Sequence, residues 1–371
     1  TGEAPVKLGI VGLPNVGKTT LFNALTHAQA AATAYAFTSA ESNLGVVAVP
    51  DPRLDALHEV LETPKKVNAT IDLVDIAGLA EGASRGEGLG NRFLSDIRGV
   101  DAVAHVVRVF RNPEVAQASD TLDPRADVDA VETELVLSDA ELVERRLDKT
   151  RKAARSGDKA ARHELEVLEA LHAWLLDGEL AKRFERSAGD EPLFRELALV
   201  SDRPVLFVLN TDDDQSAAAA LEQHAQFAQW ARERGDQVVA VAARLEAELA
   251  DLDPDEAAEF RAELGADEAG TLDVVLRACY EVLGYITFFT GDFRSSESRA
   301  WQLPRGWTAK QAAGRIHSDI EHGFVRAQVV GIDDLIELGS FHAAREKALL
   351  RTEGKDYVVQ DGDVINFMHT G

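Results

Sequence analysis

Sulfur is nearly absent from this chain, with one cysteine and one methionine in 371 residues. A single thiol excludes an internal disulfide framework and a cysteine-based zinc cluster. Cys279 falls in the apolar run Leu276–Val282 and reads as an inert core position. Long apolar runs are missing too. None approaches the ~18–20 residues that a transmembrane helix needs, and Thr1–Lys7 lacks the apolar region of a leader. A cytoplasmic protein with no membrane contact is expected. Positive charge is scarce: 39 Lys and Arg stand against 64 Asp and Glu, a formal net charge of −25. Such a balance favours solubility and argues against nucleic acid or anionic lipid binding over the whole surface. The 45% hydrophobic content still supplies a sizeable core, and the length predicts two or three domains.

What is present is a phosphate-binding loop. Gly12-Leu13-Pro14-Asn15-Val16-Gly17-Lys18-Thr19 follows the apolar stretch Leu8-Gly9-Ile10-Val11 and precedes Thr20-Leu21-Phe22-Asn23-Ala24-Leu25. A buried strand, a glycine-bearing loop and a helix start in that order separate a true P-loop from a chance match. The glycines let backbone N–H groups turn toward phosphate oxygens, and the helix N-terminus adds partial positive charge. Lys18 is placed to reach the β- and γ-phosphates, and the Thr19 hydroxyl to ligate Mg²⁺.

Apolar strands alternate with helices from residue 6 to about 125, the pattern of a parallel α/β sheet. Strands are expected at Val6–Val11, Leu44–Val49, Thr70–Val74 and Ala102–Val107. From 127 to 200 the apolar residues instead take helical spacing (Leu135, Leu142, Leu147, then Leu165, Leu168, Leu171, Leu175), interrupted at Ser156-Gly157-Asp158. This reads as an inserted antiparallel helical hairpin with its tip near 157. The α/β pattern resumes with strands at Pro204–Leu209 and Val238–Ala242 around a helix Ala217–Arg234. A helical stretch then runs from Pro254 to about Leu283. From Tyr285 a small α+β unit is expected, with strands at Ile286–Thr290, Ala300–Gln302, Ala327–Val330, Tyr357–Val359 and Val364–Phe367 and a helix Thr308–Glu321.

Further elements of a nucleotide switch follow from position. Asp75, at the tip of the strand Ile71–Val74, is placed to hold Mg²⁺, and the Gly78 N–H to approach the γ-phosphate unobstructed by a side chain. Leu79 stands where many GTPases carry a water-orienting glutamine, so slow intrinsic hydrolysis is expected. Thr38 and Ser39 both offer a metal-binding hydroxyl in the segment 34–43. After the strand Val205–Leu209 comes Asn210-Thr211-Asp212-Asp213, where guanine-specific proteins usually carry Asn-Lys-x-Asp. Asp213 keeps the carboxylate that accepts from guanine, Thr211 replaces the lysine, and an Asn side chain pairs with adenine as a carboxylate cannot. The residues here leave the base open.

These elements together resemble the YchF family of Obg-like ATPases, within the translation-factor-related P-loop GTPases. The resemblance runs over nearly the whole chain. Its most specific stretches are Gly9–Thr26, Pro50-Asp51-Pro52-Arg53-Leu54-Asp55, Val74–Leu79 with Gly86–Asn91, and Gly354-Lys355-Asp356-Tyr357 with Asp361-Gly362-Asp363. It implies an α/β P-loop G domain with a mostly parallel sheet (1–126 and 201–284), an inserted helical coiled-coil hairpin (127–200) and a C-terminal ubiquitin-like α+β TGS domain (285–371). It further implies a ribosome-associated switch, linked to translation or to redox stress, that hydrolyses ATP slowly with Mg²⁺. Carried over by position, the nucleotide site is Asn15, Val16, Gly17, Lys18, Thr19, Thr20, Asn210 and Thr211, and the Mg²⁺ ligands are Thr19 and Ser39, joined by Asp75. Gln117 stands where the family has a histidine implicated in hydrolysis, and joins Lys18 and Gly78 as a catalytic candidate. Asp213 stands where the family usually has glutamate, and Ala34-Tyr35-Ala36-Phe37 replaces the family's Asn-Phe-Pro-Phe.

The expected hairpin tip departs from the acidic background. Arg145, Arg146, Lys149, Arg151, Lys152, Arg155, Lys159 and Arg162 cluster around Gly157. A basic patch on the end of an arm suits rRNA or tRNA phosphates, while a solvated helix face with intrahelical ion pairs explains the same charges. The expected partners are ATP, or GTP, and the ribosome or its RNA, reached through the tip and the TGS domain; a monomer is expected. Two other readings stand beside this one: a GTP-specific GTPase of the same fold, and a ribosome- or RNA-binding module whose nucleotide is structural.

Overall fold

The structure is a computed structural model that describes residues 6–30, 44–76, 88–111, 122–155, 159–250, 252–264, 271–292 and 295–370. Its strands are β1 (Lys7–Val11), β2 (Leu44–Val49), β3 (Lys66–Val67), β4 (Ala69–Asp75), β5 (Ala102–Arg108), β6 (Val205–Asn210) and β7 (Gln237–Val241). After them come β8 (Tyr285–Thr290), β9 (Ser298–Pro304), β10 (Phe324–Gly331), β11 (Arg351–Glu353) and β12 (Asp363–His369). The chain divides into two compact units. The larger takes Val6–Gly45 and Leu73–Val275; the smaller is built from Val46–Asp72 and the chain from Leu276 onward.

In the larger unit the end of β4, then β1, β5, β6 and β7 lie side by side. β1 runs parallel to β5, β5 to β6 and β6 to β7. The central strand β5, Ala-Val-Ala-His-Val-Val-Arg, is buried along its whole length, as a parallel strand covered on both faces must be. Strands running one way deliver their C-terminal ends to one edge of the sheet, which is where open α/β sheets bind ligands. Here that edge carries Val11, Arg108 and Asn210.

The inserted arm is also part of this unit. Its first helix, Pro124–Ala154, starts where Pro124 presets the backbone and Asp123 accepts from the N–H groups of Arg125 and Ala126 at 3.0 and 3.1 Å. The second, Lys159–Leu176, lays Leu168, Leu171 and Leu175 against Val136, Ala140, Val143 and Leu147. The three residues expected at the tip, 156–158, lie outside the described residues.

The smaller unit holds most of β2, the first half of β4, and a mixed sheet in the order β11-β10-β12-β8-β9-β3. β10 pairs antiparallel with β11 and β12, β12 runs parallel to β8, and β8 pairs antiparallel with β9. The helix Ala309–Ile316 covers one face through Ala309 and Ala312, against Phe288, Leu303 and Val329. The stretch Pro50-Asp51-Pro52-Arg53 acts locally. Asp51 caps the helix Pro52–Leu61 by accepting from Arg53 N, and its carboxylate also takes the Arg53 guanidinium at 2.8 Å. The same guanidinium donates to Asp361 at 2.7 Å, whose second oxygen accepts from Thr287 N at 2.8 Å. Two of the sequence's most distinctive stretches therefore meet as a structural clip.

Three expectations need correction. Tyr357–Val359 is not a strand. It makes only a single bridge, Thr308 to Val358, because this stretch folds back on Asp363, which accepts from Tyr357 Oη at 2.8 Å and Gln360 N at 2.9 Å. The helix expected over Thr308–Glu321 breaks at His317, whose extended backbone (φ −163°, ψ 144°) and ring cap the next helix, Ser318–His322. The helix expected over Ala217–Arg234 is two, Ala217–Gln223 and Ala225–Glu233, parted at His224. β3 and β11, of two and three residues, are too short to leave a periodic signal.

Candidate nucleotide site

The loop after β1 is bent by backbone that few residues adopt. Gly12 has φ +149°, and a Cβ there would strike the Val106 carbonyl of β5. Gly17 has φ +99°, and a Cβ there would strike the Asn210 amide. Asn15 takes the left-handed region at φ +62°, which asparagine tolerates better than most residues. Past the turn, Leu21 N donates to Gly17 O at 2.9 Å and the helix Lys18–Ala30 begins.

Lys18 is buried, and its Nζ donates to Leu13 O at 2.7 Å, so the ammonium is held over the loop. Burial lowers its pKa from 10.5 to about 8, against the opposing charge of Asp75. Thr19 Oγ1 donates to Asp75 Oδ2 at 2.8 Å. Ile76 N donates to Ile10 O at 3.1 Å, which fixes the end of β4 beside the loop. A hydroxyl and a carboxylate converging at a P-loop are the hard oxygen donors that Mg²⁺ takes alongside phosphate oxygens. Among the described residues no cluster of three or more His, Cys, Asp or Glu could hold a metal by itself. His105, within β5, is buried against Phe207, with burial and then Lys18 and Arg234 pushing its pKa down to about 3. It packs as a neutral ring.

Asn210 ends β6 and is buried. Its Nδ2 donates to Val16 O at 2.9 Å, and its Oδ1 accepts from Ala243 N at 3.1 Å. The side chain thus ties the P-loop to the chain beyond β7. Thr211 N donates to Val241 O at 3.0 Å, and its hydroxyl is bonded to the Gln215 side chain. Asn15, Gly17, Thr20, Asn210 and Thr211 together line a cavity of about 750 Å³, bounded further out by Phe110, Asp213, Arg244 and Phe260. A volume of this size suits a nucleotide-sized ligand. The structure brings together Asn15 to Thr20, Asp75, Asn210 and Thr211. Ser39, Thr38, Gly78 and Gln117 lie outside the described residues.

Two features escape a reading of the sequence. Asp212 Oδ1 accepts from Arg111 N at 3.0 Å, binding the strand-end turn to the chain after β5. Asp213 is not an open carboxylate: Arg244 Nε donates to its Oδ2 at 2.7 Å, and a second guanidinium nitrogen bonds the same oxygen. Arg244 stands three residues past β7, the one strand end of this edge to which the sequence reading assigns no role. A cation following the last strand is the available signal.

With this geometry in hand, comparison with known proteins is specific. Residues 7–138 match a family model described as 50S ribosome-binding GTPase, and residues 285–370 match the model of the YchF GTPase C-terminal domain, described as a protein of unknown function. The ribosome-binding ATPase YchF of Escherichia coli O157:H7 is 43% identical over 98% of both chains. Its counterpart in Bacillus subtilis is 42% identical over 97% of this chain and 98% of its own. The solved Schizosaccharomyces pombe YchF GTPase superposes with a TM-score of 0.85 at 32% identity, covering 99% of each chain. A P-loop GTPase fold carrying a YchF C-terminal domain, matched end to end at this identity, means that the chain belongs to the YchF family.

Proposed function

We propose that this protein is a Mg²⁺-dependent nucleoside triphosphatase that favours ATP, turns over slowly and works on the ribosome. The observation that carries the reading is the buried Lys18 with the Thr19–Asp75 bond, on a loop whose Asn15, Gly17 and Thr20 line a cavity of about 750 Å³. Lys18 would neutralise the terminal phosphates, and the loop N–H groups and helix N-terminus would hold them. Thr19 and Asp75 would hold Mg²⁺, joined by Ser39, and the bound ion would supply charge stabilisation as the γ-phosphoryl departs. The Gly78 N–H and Gln117 are proposed to face the γ-phosphate and the attacking water. With Leu79 in place of a water-orienting glutamine, turnover is expected to be slow. ATPase activity and ribosome binding are supported by the names of relatives at 42–43% identity. We assign the G domain to 1–126 and 201–284, the arm to 127–200 and the TGS domain to 285–371.

Fluorescent-ATP titration with and without Mg²⁺, together with phosphate release, tests the reading. Wild type should bind in a Mg²⁺-dependent manner, and Thr19→Ala and Asp75→Asn should each lose most of that dependence. Folded protein with no Mg²⁺-dependent affinity for any purine triphosphate would refute it.

A further inference from the structure

The base-side wall of the cavity carries one charged pair whose chemistry bears on purine choice. Asn210 is largely committed to bracing the loop there. Its Oδ1 accepts from Ala243 N, and one Nδ2 hydrogen is spent on Val16 O. The remaining N–H suits a purine N7, which adenine and guanine share. Discrimination at the N1 and C2 edge of the base falls to the side chains further out. A free carboxylate at Asp213 would accept from guanine's N1–H and N2–H₂, the pattern adenine cannot offer. Asp213 is instead engaged through Oδ2 by two nitrogens of Arg244. Arg244 and Asp213 both line the cavity, with Phe110 and Phe260 at its apolar margins. Arg244 has a second acid, Glu248 Oε1, one helical turn on at 3.9 Å, yet both of its short bonds go to Asp213.

We propose that Arg244 is a specificity-determining residue: it takes Oδ2 of the Asp213 carboxylate, breaks the two-oxygen acceptor that guanine's edge requires, and sets a donor beside it on the base-facing wall. Adenine, with an acceptor at N1 where guanine has a donor, is compatible with that wall. The inference rests on the reading that this cavity takes a purine nucleotide. The pair is partly exposed, with Arg244 65% and Asp213 21% accessible, so solvent screening keeps its effect modest.

Equilibrium titrations of ATP and GTP with Mg²⁺ on the full chain test the proposal, in wild type, Arg244→Gln, Asp213→Asn and the double variant, each checked for an unchanged thermal midpoint. Arg244→Gln is expected to move the affinity ratio toward GTP by about fivefold. Asp213→Asn alone should move it less than about twofold, because the carboxylate is already occupied, and in the Arg244→Gln background it should cancel the gain. Arg244→Lys, which keeps the charge without the planar fork, should fall between wild type and Arg244→Gln. If both nucleotides bind wild type and Arg244→Gln leaves the ratio unchanged, the role given to Arg244 is wrong while the nucleotide site stands. If Asp213→Asn costs wild type the same GTP affinity as it costs Arg244→Gln, Asp213 reads guanine directly and the proposal fails. Wild type that binds neither nucleotide removes the underlying reading and the proposal together.

Discussion

Lys18 shows how one buried charge links pH to ligand binding. Desolvation lowers its pKa to about 8, from 10.5 in water. In the native state it therefore releases its proton first as pH rises, and between about 8 and 10.5 the unfolded chain binds more protons than the folded one. By linkage, folding stability attributable to this residue rises with pH across that window and is least below it. A triphosphate reverses the sign locally, because phosphate charge favours the ammonium. Nucleotide affinity should be flat below pH ~8 and then fall by up to tenfold per pH unit above it. Titrations from pH 7 to 9.5 would show the break, and Lys18→Arg, with no titration in this range, would abolish it even if its affinity is lower. Asn210 makes a second prediction. Both ends of its amide are used and it is buried, so Asn210→Ala strands the Val16 carbonyl and the Ala243 N–H. That should lower unfolding free energy by about 2–3 kcal/mol in urea and weaken nucleotide binding by loosening the loop. The P-loop itself was legible from sequence because its glycines, lysine and hydroxyl are adjacent in the chain. The bracing by Asn210 and the pairing of Asp213 with Arg244 were not, since each depends on strand ends brought together only by the folded sheet.

Among the elements, the arm is held at its root by a buried acid. Asp139, in the helix Pro124–Ala154, is fully buried and accepts from Val200 N at 3.0 Å, Ser201 N at 2.8 Å and Ser201 Oγ at 2.6 Å. Burial nonetheless pushes its pKa upward. Asp139→Ala leaves buried donors without an acceptor and should destabilise the arm by about 3 kcal/mol. Ser201→Ala, which deletes one donor to Asp139 and leaves Ala181 N without the hydroxyl it donates to at 3.1 Å, should cost about 1–2 kcal/mol. Denaturant melts followed by Trp174 fluorescence would compare the two. A result in which Ser201→Ala costs as much as Asp139→Ala would place the anchor elsewhere. Long helices of this kind are readable from leucine spacing alone, as the arm was. The breaks at His224 and His317 were not readable, because apolar spacing continues through them; at His317 the ring caps the next helix, and at His224 the backbone turns without a side-chain cap. The Pro50–Asp55 and Asp361–Asp363 stretches were recognisable as distinctive, but their meeting through Arg53 requires the fold.

At the scale of the whole molecule the decisive fact is the contrast between a net charge of −25 and the basic stretch of the arm around Gly157. The body should repel a polyanion, so any productive approach to RNA must be local. The structure sorts the arm's cations into two groups. Arg146 is committed to Glu164 and Glu196 at 2.7 and 2.8 Å, and Arg151 to Glu169 at 3.3 Å, so these serve the arm itself. Lys149, Lys152, Arg155, Lys159 and Arg162 are exposed and have no ion-pair partner among the described residues. Charges that neither fill a core nor offset a nearby acid are the ones free to replace counterions on a phosphate backbone. Replacing these five by Gln should reduce the slope of log affinity for ribosomes against log salt by about 4, if each meets one phosphate. Arg146→Gln should instead lower the arm's thermal midpoint and leave the slope nearly unchanged. Cosedimentation with ribosomes across a potassium chloride series reads both effects. An unaltered slope in the five-fold variant would show that the tip is a solvated helix face, and would move the ribosome contact to another surface of the chain.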